Sequence, residues 1–214
     1  MGCSLSVEGD VRVIDLGDGE NRLDRDAIAA LHRVLDEVEA APAPRAIVTT
    51  ATGKFWCNGF DTEWIAGHPD EVDGLFDDFR GLMSRLMLLP VPSVAAIQGH
   101  AFAAGAMLAF GHDFRVMRED RGYFCLPEID LKRPLSAPSV AVVRAKVSPS
   151  LLPELLIAAR RYSGPDALAA GIVHAVAPGD GVRAAATELA GSLAGKDPAS
   201  LGVVKQRIYA PPGG

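Results

Sequence analysis

The chain has 214 residues, of which 49% are hydrophobic and 22% charged, which is enough to bury a sizeable core in one or two domains. Its formal net charge of -6 argues against nucleic acid and anionic membranes as main partners, because both are bound by clustered Lys and Arg. The sequence has no apolar run of about 18 residues and no secretory leader, so we expect a cytoplasmic protein that does not span a membrane.

The cysteines and histidines show no ligand spacing. Cys3, Cys57 and Cys125 are odd in number and widely separated, so we expect neither a disulfide framework nor a metal site. His100 and His112 have no carboxylate partner or second ligand at matching spacing, and we interpret both as structural.

The predicted elements alternate between strands and helices. An alternating apolar pattern over residues 5–13 predicts a hairpin, and a helical pattern over residues 28–38 follows Asp24, which we predict as the N-cap of that helix. Further along, the sequence predicts strands at 45–50, 94–97 and 114–117 and a helix at 75–86.

Apolar strands joined by helices are typical of an α/β fold whose parallel sheet is covered on both faces. No change in composition marks a linker. We assign residues 1–162 to an α/β core and residues 163–214, which show short helical patterns, to a C-terminal helical segment.

Two loops follow predicted strands, at the strand ends where open α/β sheets place their ligands. Residues 53–61 and 98–107 contain small residues, which let the backbone approach a ligand closely. Free N–H groups at a helix start also favour developing negative charge, so two such loops can form an oxyanion hole. For either loop alone, the alternative is that small residues simply permit tight helix-strand packing.

One carboxylate stands out in the segment Leu126-Pro127-Glu128-Ile129. Apolar neighbours disfavour its charged form, so we predict a raised pKa for Glu128 and a capacity to move protons near neutral pH. A Pro-Glu dipeptide taken by itself is more often an exposed turn at a strand end.

Five sequence blocks stand in a fixed order that points to a family. They are Phe55-x-x-x-Gly59-Phe60-Asp61, residues 92–105, His112-Asp113-Phe114-Arg115, Phe124-x-x-Pro127-Glu128-Ile129 and residues 160–173. In order and spacing they resemble the crotonase superfamily, over about residues 5–178. The resemblance is greatest to the Δ3,Δ2-enoyl-CoA isomerases of the plant peroxisomal type and their bacterial counterparts. It implies a crotonase-like ββα spiral fold with a short helical C-terminal appendage.

The resemblance also implies catalytic roles. The backbone N–H groups of Phe60 and Ala104 would hold the thioester oxygen, and Glu128 would act as acid and base. Family hydratases use two glutamates to activate water, and the first of these positions is Met107 here. A thioether cannot orient water or transfer its proton, so the resemblance implies an isomerase. Ala103 and Ala104 replace two glycines of the commoner family form, which would narrow the space near the carbonyl.

Substrate contacts follow from the same resemblance. The implied residues are Arg22, Leu23, Gly59, Asp61, Gly105, Met107 and Lys205. Arg22 and Leu23 correspond to the segment that meets the CoA moiety, Lys205 is a candidate phosphate contact, and Asp61 is also expected to cap the following turn.

Two groups of residues near these positions are open to two interpretations. An apolar stripe is expected to be core, with an acyl tunnel as the alternative; its members are Phe76, Phe79, Met83 and Met87. Asp130 and Arg133, close to Glu128 in the sequence, either line the pocket or form a solvated pair.

The expected partner is an acyl-CoA substrate, which brings coenzyme A with it, and no metal or redox cofactor is expected. The resemblance implies a homotrimer or hexamer active in fatty acid metabolism. Three alternatives stay open: an enoyl-CoA hydratase or dehydratase, another enolate reaction such as thioester hydrolysis, and a non-catalytic acyl-CoA binder.

Overall fold

The computed structural model describes residues 2–43 and 45–209. Its strands are β1 Ser4–Glu8, β2 Val11–Asp15, β3 Ala46–Thr50, β4 Phe55–Cys57, β5 Ser93–Ile97, β6 His100–Phe102, β7 Phe114–Arg118, β8 Phe124–Cys125 and β9 Ala175–Ala177. Its α-helices are α1 Arg25–Ala40, α2 Thr62–Gly67, α3 Val72–Leu88, α4 Ala104–Gly111, α5 Ala137–Lys146, α6 Leu152–Leu156, α7 Gly164–Ala169, α8 Gly181–Leu193 and α9 Pro198–Tyr209.

Helix α1 shows how the sequence sets these elements. The Asp24 carboxylate accepts a hydrogen bond from Ala27 N–H at 2.7 Å, which confirms the predicted N-cap. Apolar residues at helical spacing then turn one face of α1 into the core.

No helix within residues 2–43 and 45–209 has the length and hydropathy needed to cross a membrane.

The larger sheet has six strands in the order β1-β2-β3-β5-β7-β9. Strands β1 and β2 form the predicted antiparallel hairpin, and the other neighbours pair in parallel. Every residue of β3 and β5 is buried, as expected for parallel strands covered on both faces. The predicted α/β class is confirmed.

Helices cover both faces of this sheet. On one face, Val48 and Val94 pack with Val182 of α8. On the other face, Ile47 and Ala95 belong to the larger core cluster, to which α1, α3 and α4 contribute. The side chains alternate between the two clusters because successive residues of a strand point to opposite faces.

The C-terminal segment supplies the expected helices and one unpredicted strand. Strand β9 pairs with β7 at the edge of the large sheet, and α8 packs over β3 and β5. Residues 210–214 of the predicted segment lie outside the described residues.

A second sheet takes β4 and β6 from the two loops that the sequence singled out and adds β8 from further along the chain. Strands β4, β6 and β8 pair in parallel in that order. They have only two or three residues each, too few for a pattern in the sequence to predict. Their carboxyl ends share one edge, and the chain reaches Phe60 after β4, Ala104 after β6 and Glu128 after β8.

Candidate active site

A cavity of about 990 Å³ lies at that edge of the small sheet. Phe60, Ala104, Met107 and Glu128 all line it. The rest of its wall comes from α2, α3 and the segment after Glu128, including Ile65, Val72, Phe76, Phe79, Leu131, Arg133 and Leu135. The structure therefore brings together the residues predicted to carry the chemistry.

The backbone around Phe60 is held by pairing with Leu23. Leu23 N–H donates to Gly59 O at 2.8 Å, and Leu23 O accepts from Asp61 N–H at 2.9 Å. In parallel pairing, one residue bonds to both neighbours of the residue opposite it, which turns the opposite residue's own N–H away. Phe60 N–H accordingly has no acceptor among residues 2–43 and 45–209.

Ala104 offers a second N–H at the start of α4. The first intrahelical bond runs from Met107 N–H to Ala103 O at 3.0 Å. The N–H of Ala104 lies in the first turn, where no earlier carbonyl of the helix can accept it and the helix dipole favours negative charge. No other described residue accepts from it. The turn into α4 depends on Ala103, whose backbone is left-handed with φ 51° and ψ -124°.

Two glycines bring these donors close together. Gly59 has φ +85°, and a Cβ built on it would lie 3.4 Å from Ala104 N. A Cβ on Gly105 would lie 2.2 Å from Cys57 O, so α4 packs directly against the end of β4. Tight helix-strand packing and a pair of neighbouring N–H donors, which are alternatives for either loop taken alone, therefore occur together in this site.

Glu128 presents its carboxylate to the cavity. Its backbone is fixed in a turn in which Arg133 N–H donates to Glu128 O at 2.9 Å. The side chain is half-buried, and Oε2 has no hydrogen-bond partner in the described structure. Burial raises the pKa of Glu128 from 4.5 to about 7, and a backbone hydrogen bond offsets part of the rise. A carboxyl group with that pKa both accepts and releases a proton near neutral pH.

Met107 occupies the wall of the same cavity with 3% of its surface exposed. Among the described residues that line the cavity, Glu128 is the only carboxylate. The site therefore combines two backbone N–H groups without acceptors in the described structure and a single carboxylate.

Comparison with known proteins identifies the family. The sequence matches the family described as enoyl-CoA hydratase/isomerase over residues 7–211. The chain belongs to this family. The predicted membership of the crotonase superfamily is confirmed, and the chain is an enzyme of the enoyl-CoA hydratase/isomerase family.

Some relatives of this enoyl-CoA hydratase/isomerase family member are named isomerases and others hydratases. Peroxisomal enoyl-CoA delta isomerase 2 of Arabidopsis thaliana is 36% identical over 205 residues, covering 91% of this chain and 85% of the relative. A putative enoyl-CoA hydratase of Thermus thermophilus is 33% identical over 216 residues, covering 96% and 83%. One solved protein of Mycobacterium tuberculosis is described as an enoyl-CoA isomerase in one structure and as a probable enoyl-CoA hydratase in another. The first of these structures superposes with a TM-score of 0.90 at 26% identity, covering 97% of this chain and 91% of that one. The predicted crotonase-like fold is confirmed.

Arg22 and Asp61 lie beside the site of this family member. Arg22 lines the cavity and forms an ion pair with Glu20. Asp61 caps α2 by accepting from Glu63 N–H at 2.9 Å and Trp64 N–H at 3.0 Å, which confirms its capping role. Arg133 lines the cavity.

The structure corrects two of the implied contacts. Leu23 is fully buried and its N–H and C=O are both bonded to the Phe60 loop, so it braces that loop and does not meet CoA. Lys205 was predicted to contact a phosphate, and this is wrong. Only 2% of Lys205 is exposed, and its ammonium pairs with Asp113 at 2.7 Å and donates to Val91 O at 2.9 Å.

The structure also shows the surroundings of His112 and of the aromatic residues on α3. His112 is buried, with its ring nitrogens 2.7 Å from Thr49 Oγ1 and 3.0 Å from Leu108 O, which confirms a structural role. In the apolar stripe, Phe76 and Phe79 line the cavity, while Phe79, Met83 and Met87 are buried core residues as predicted. Arg80, one residue after Phe79 on α3, also lines the cavity and was missed. Its position four residues after Phe76, on the same face of α3, was the available signal.

Within residues 2–43 and 45–209, no group of three or more His, Cys, Asp or Glu side chains is arranged to hold a metal ion.

Proposed function

We propose that this enzyme is a Δ3,Δ2-enoyl-CoA isomerase. The observation that carries the proposal is the pairing of one cavity carboxylate, Glu128, with Met107 at the position where a hydratase of the family would carry its second glutamate. Activation of water for addition needs a group that holds the water and takes its proton, and a thioether does neither.

The proposed reaction moves one proton. Glu128 takes a proton from C2 of a 3-enoyl thioester, and the resulting enolate oxygen accepts hydrogen bonds from Phe60 N–H and Ala104 N–H. Glu128 then delivers the proton to C4, which leaves the double bond between C2 and C3. Removing a donor of this kind typically costs about 3 to 4 kcal/mol of transition-state stabilisation, so the pair makes the enolate accessible. The reaction is redox-neutral and needs no cofactor beyond the coenzyme A of its substrate.

We assign the apolar wall to the acyl chain. Phe60 packs against Phe76 and Phe79 with ring centroids 5.1 Å apart in each pair, which forms an aromatic side to the cavity. Arg22 and Arg133 also line the cavity, and arginine is suited to binding the anionic parts of an acyl-CoA. The homotrimer or hexamer and the cytoplasmic location stay predictions from the sequence.

The test compares two reactions on one preparation. A trans-3-enoyl-CoA and the trans-2-enoyl-CoA of the same chain length are supplied separately, and the absorbance of the conjugated thioester is followed. We expect absorbance to rise rapidly with the first substrate and to fall slowly, if at all, with the second. Faster hydration than double-bond migration would assign the enzyme as a hydratase. Release of free CoA would indicate a hydrolase, and binding without turnover a non-catalytic acyl-CoA binder.

A further inference from the structure

We propose that Asn21 is a positioning residue for the Phe60 oxyanion donor. The inference rests on the proposed function, because it concerns the group that holds the thioester oxygen. Asn21 lies between β2 and α1, and 6% of it is exposed. Its side-chain amide reaches across to β4, donating to Phe55 O at 3.2 Å and to Trp56 O at 3.1 Å.

These carbonyls belong to a strand with an open side. β4 is the edge strand of the small sheet and pairs only with β6 within that sheet. Carbonyls on the other side of a buried strand need donors, because leaving them unpaired away from water is unfavourable. The two N–H groups of the Asn21 amide are shared among these two carbonyls and Gly17 O, which lies 3.4 Å away, and they attach the loop of Asn21 to β4. Phe55 O has a second donor in Gln98 Nε2 at 3.2 Å, whereas Trp56 O accepts from no other side chain in the described structure.

The attachment continues to the two residues that flank Phe60. Asn58 N–H donates to Glu20 O at 2.9 Å, and Leu23 bonds to Gly59 and Asp61. Segment 20–23 thus runs beside residues 58–61 as a short brace, with the Asn21 side chain as its anchor on β4. The backbone of Asn21 is left-handed, with φ 51°, a conformation that Asn tolerates better than most residues.

The brace matters because an oxyanion donor acts only at hydrogen-bond distance, about 2.7 to 3.1 Å from the developing charge. Loss of the anchor should loosen residues 58–61 and displace the Phe60 N–H. We expect Asn21→Gly to lower kcat about tenfold, less than the ~10²- to 10³-fold loss for a missing donor. Affinity for a bound acyl-CoA should change little, because no Asn21 atom lines the cavity.

The substitution separates the amide from the backbone shape. Glycine adopts φ 51° without steric cost, so Asn21→Gly removes the amide and keeps the left-handed turn available. Val182→Ala is the control, since it removes core packing from α8 on the far face of the large sheet. Should Asn21→Gly fail to fold, Asn21→Ser is measured in its place.

The decisive readout is the carbonyl stretch of a bound 2-enoyl-CoA labelled with carbon-13 at C1, measured by difference infrared spectroscopy. Wild type and Val182→Ala should shift this band equally to lower frequency, and Asn21→Gly should shift it less. An Asn21→Gly enzyme with the full shift and full kcat per folded molecule would overturn the proposal and leave Asn21 a purely structural role. The band reports polarisation whichever reaction follows, so hydration by the wild type would contradict the isomerase assignment without deciding the role of Asn21.

Discussion

Gly59 and Ala103 meet at the point where the two proposed oxyanion donors converge. A Cβ built on Gly59 would lie 3.1 Å from the Cβ of Ala103 and 3.1 Å from Phe102 O. Both residues have left-handed backbones, φ +85° for the glycine and 51° for the alanine. The alanine carries a conformational cost that the glycine does not, because its Cβ crowds the backbone in this region.

Relief of that cost gives the first prediction. Ala103→Gly should stabilise the fold by about 1 kcal/mol, since the strain removed is about 1–3 kcal/mol and the added flexibility of the unfolded chain costs about 0.4–1 kcal/mol. Urea unfolding measures the change. Ala106→Gly is the matched control on α4, where the backbone is helical and the same substitution should destabilise by about 1 kcal/mol. Equal losses for both variants would show that Ala103 is unstrained.

The raised pKa of Glu128 predicts how activity depends on pH. Only the carboxylate form accepts the C2 proton, so kcat/KM should rise with pH through about 7 and level off above it. The free enzyme carries this pKa, which is why kcat/KM reports it. A profile with its midpoint near the ordinary carboxyl value of 4.5 would mean that the side chain is solvated.

Lys205 gives a prediction that separates structure from binding. Lys205→Met should destabilise the protein by about 3 kcal/mol, because it leaves the partly buried Asp113 without its cation. The carboxylate keeps its bonds from Ser93 N–H and Oγ, each 2.9 Å long. KM for acyl-CoA should not change, and the exposed Lys196→Met should alter neither property. A stable variant with a raised KM would instead indicate that Lys205 contacts a phosphate of the substrate.

The residues that lie in the ordered sequence blocks were predictable from the sequence. Phe60, Ala104 and Glu128 are predicted to share one site because their blocks follow one another at family spacing, and in the structure they follow three adjacent strand ends. The larger parallel sheet was also predictable, since fully buried strands such as β3 and β5 are continuous apolar runs.

Roles that depend on distant contacts were not predictable. The partners of Asn21 lie 34 and 35 residues away, and the Lys205 contact with Val91 spans 114 residues. Nothing local distinguishes such a lysine from a solvated one, which is the commoner case. β9 was missed for a related reason, because three residues do not establish an alternating pattern.

Glu128→Gln tests the central claim, that one carboxylate moves the proton. The amide keeps the shape of the side chain and cannot serve as the base. At saturating 3-enoyl-CoA and a pH above 7, its isomerisation rate should fall about 10²- to 10⁴-fold, while the dissociation constant for the product stays near the wild-type value. Glu188→Gln makes the same chemical change on the exposed face of α8 and should retain the wild-type rate. A Glu128→Gln enzyme that isomerises at the wild-type rate would contradict the account.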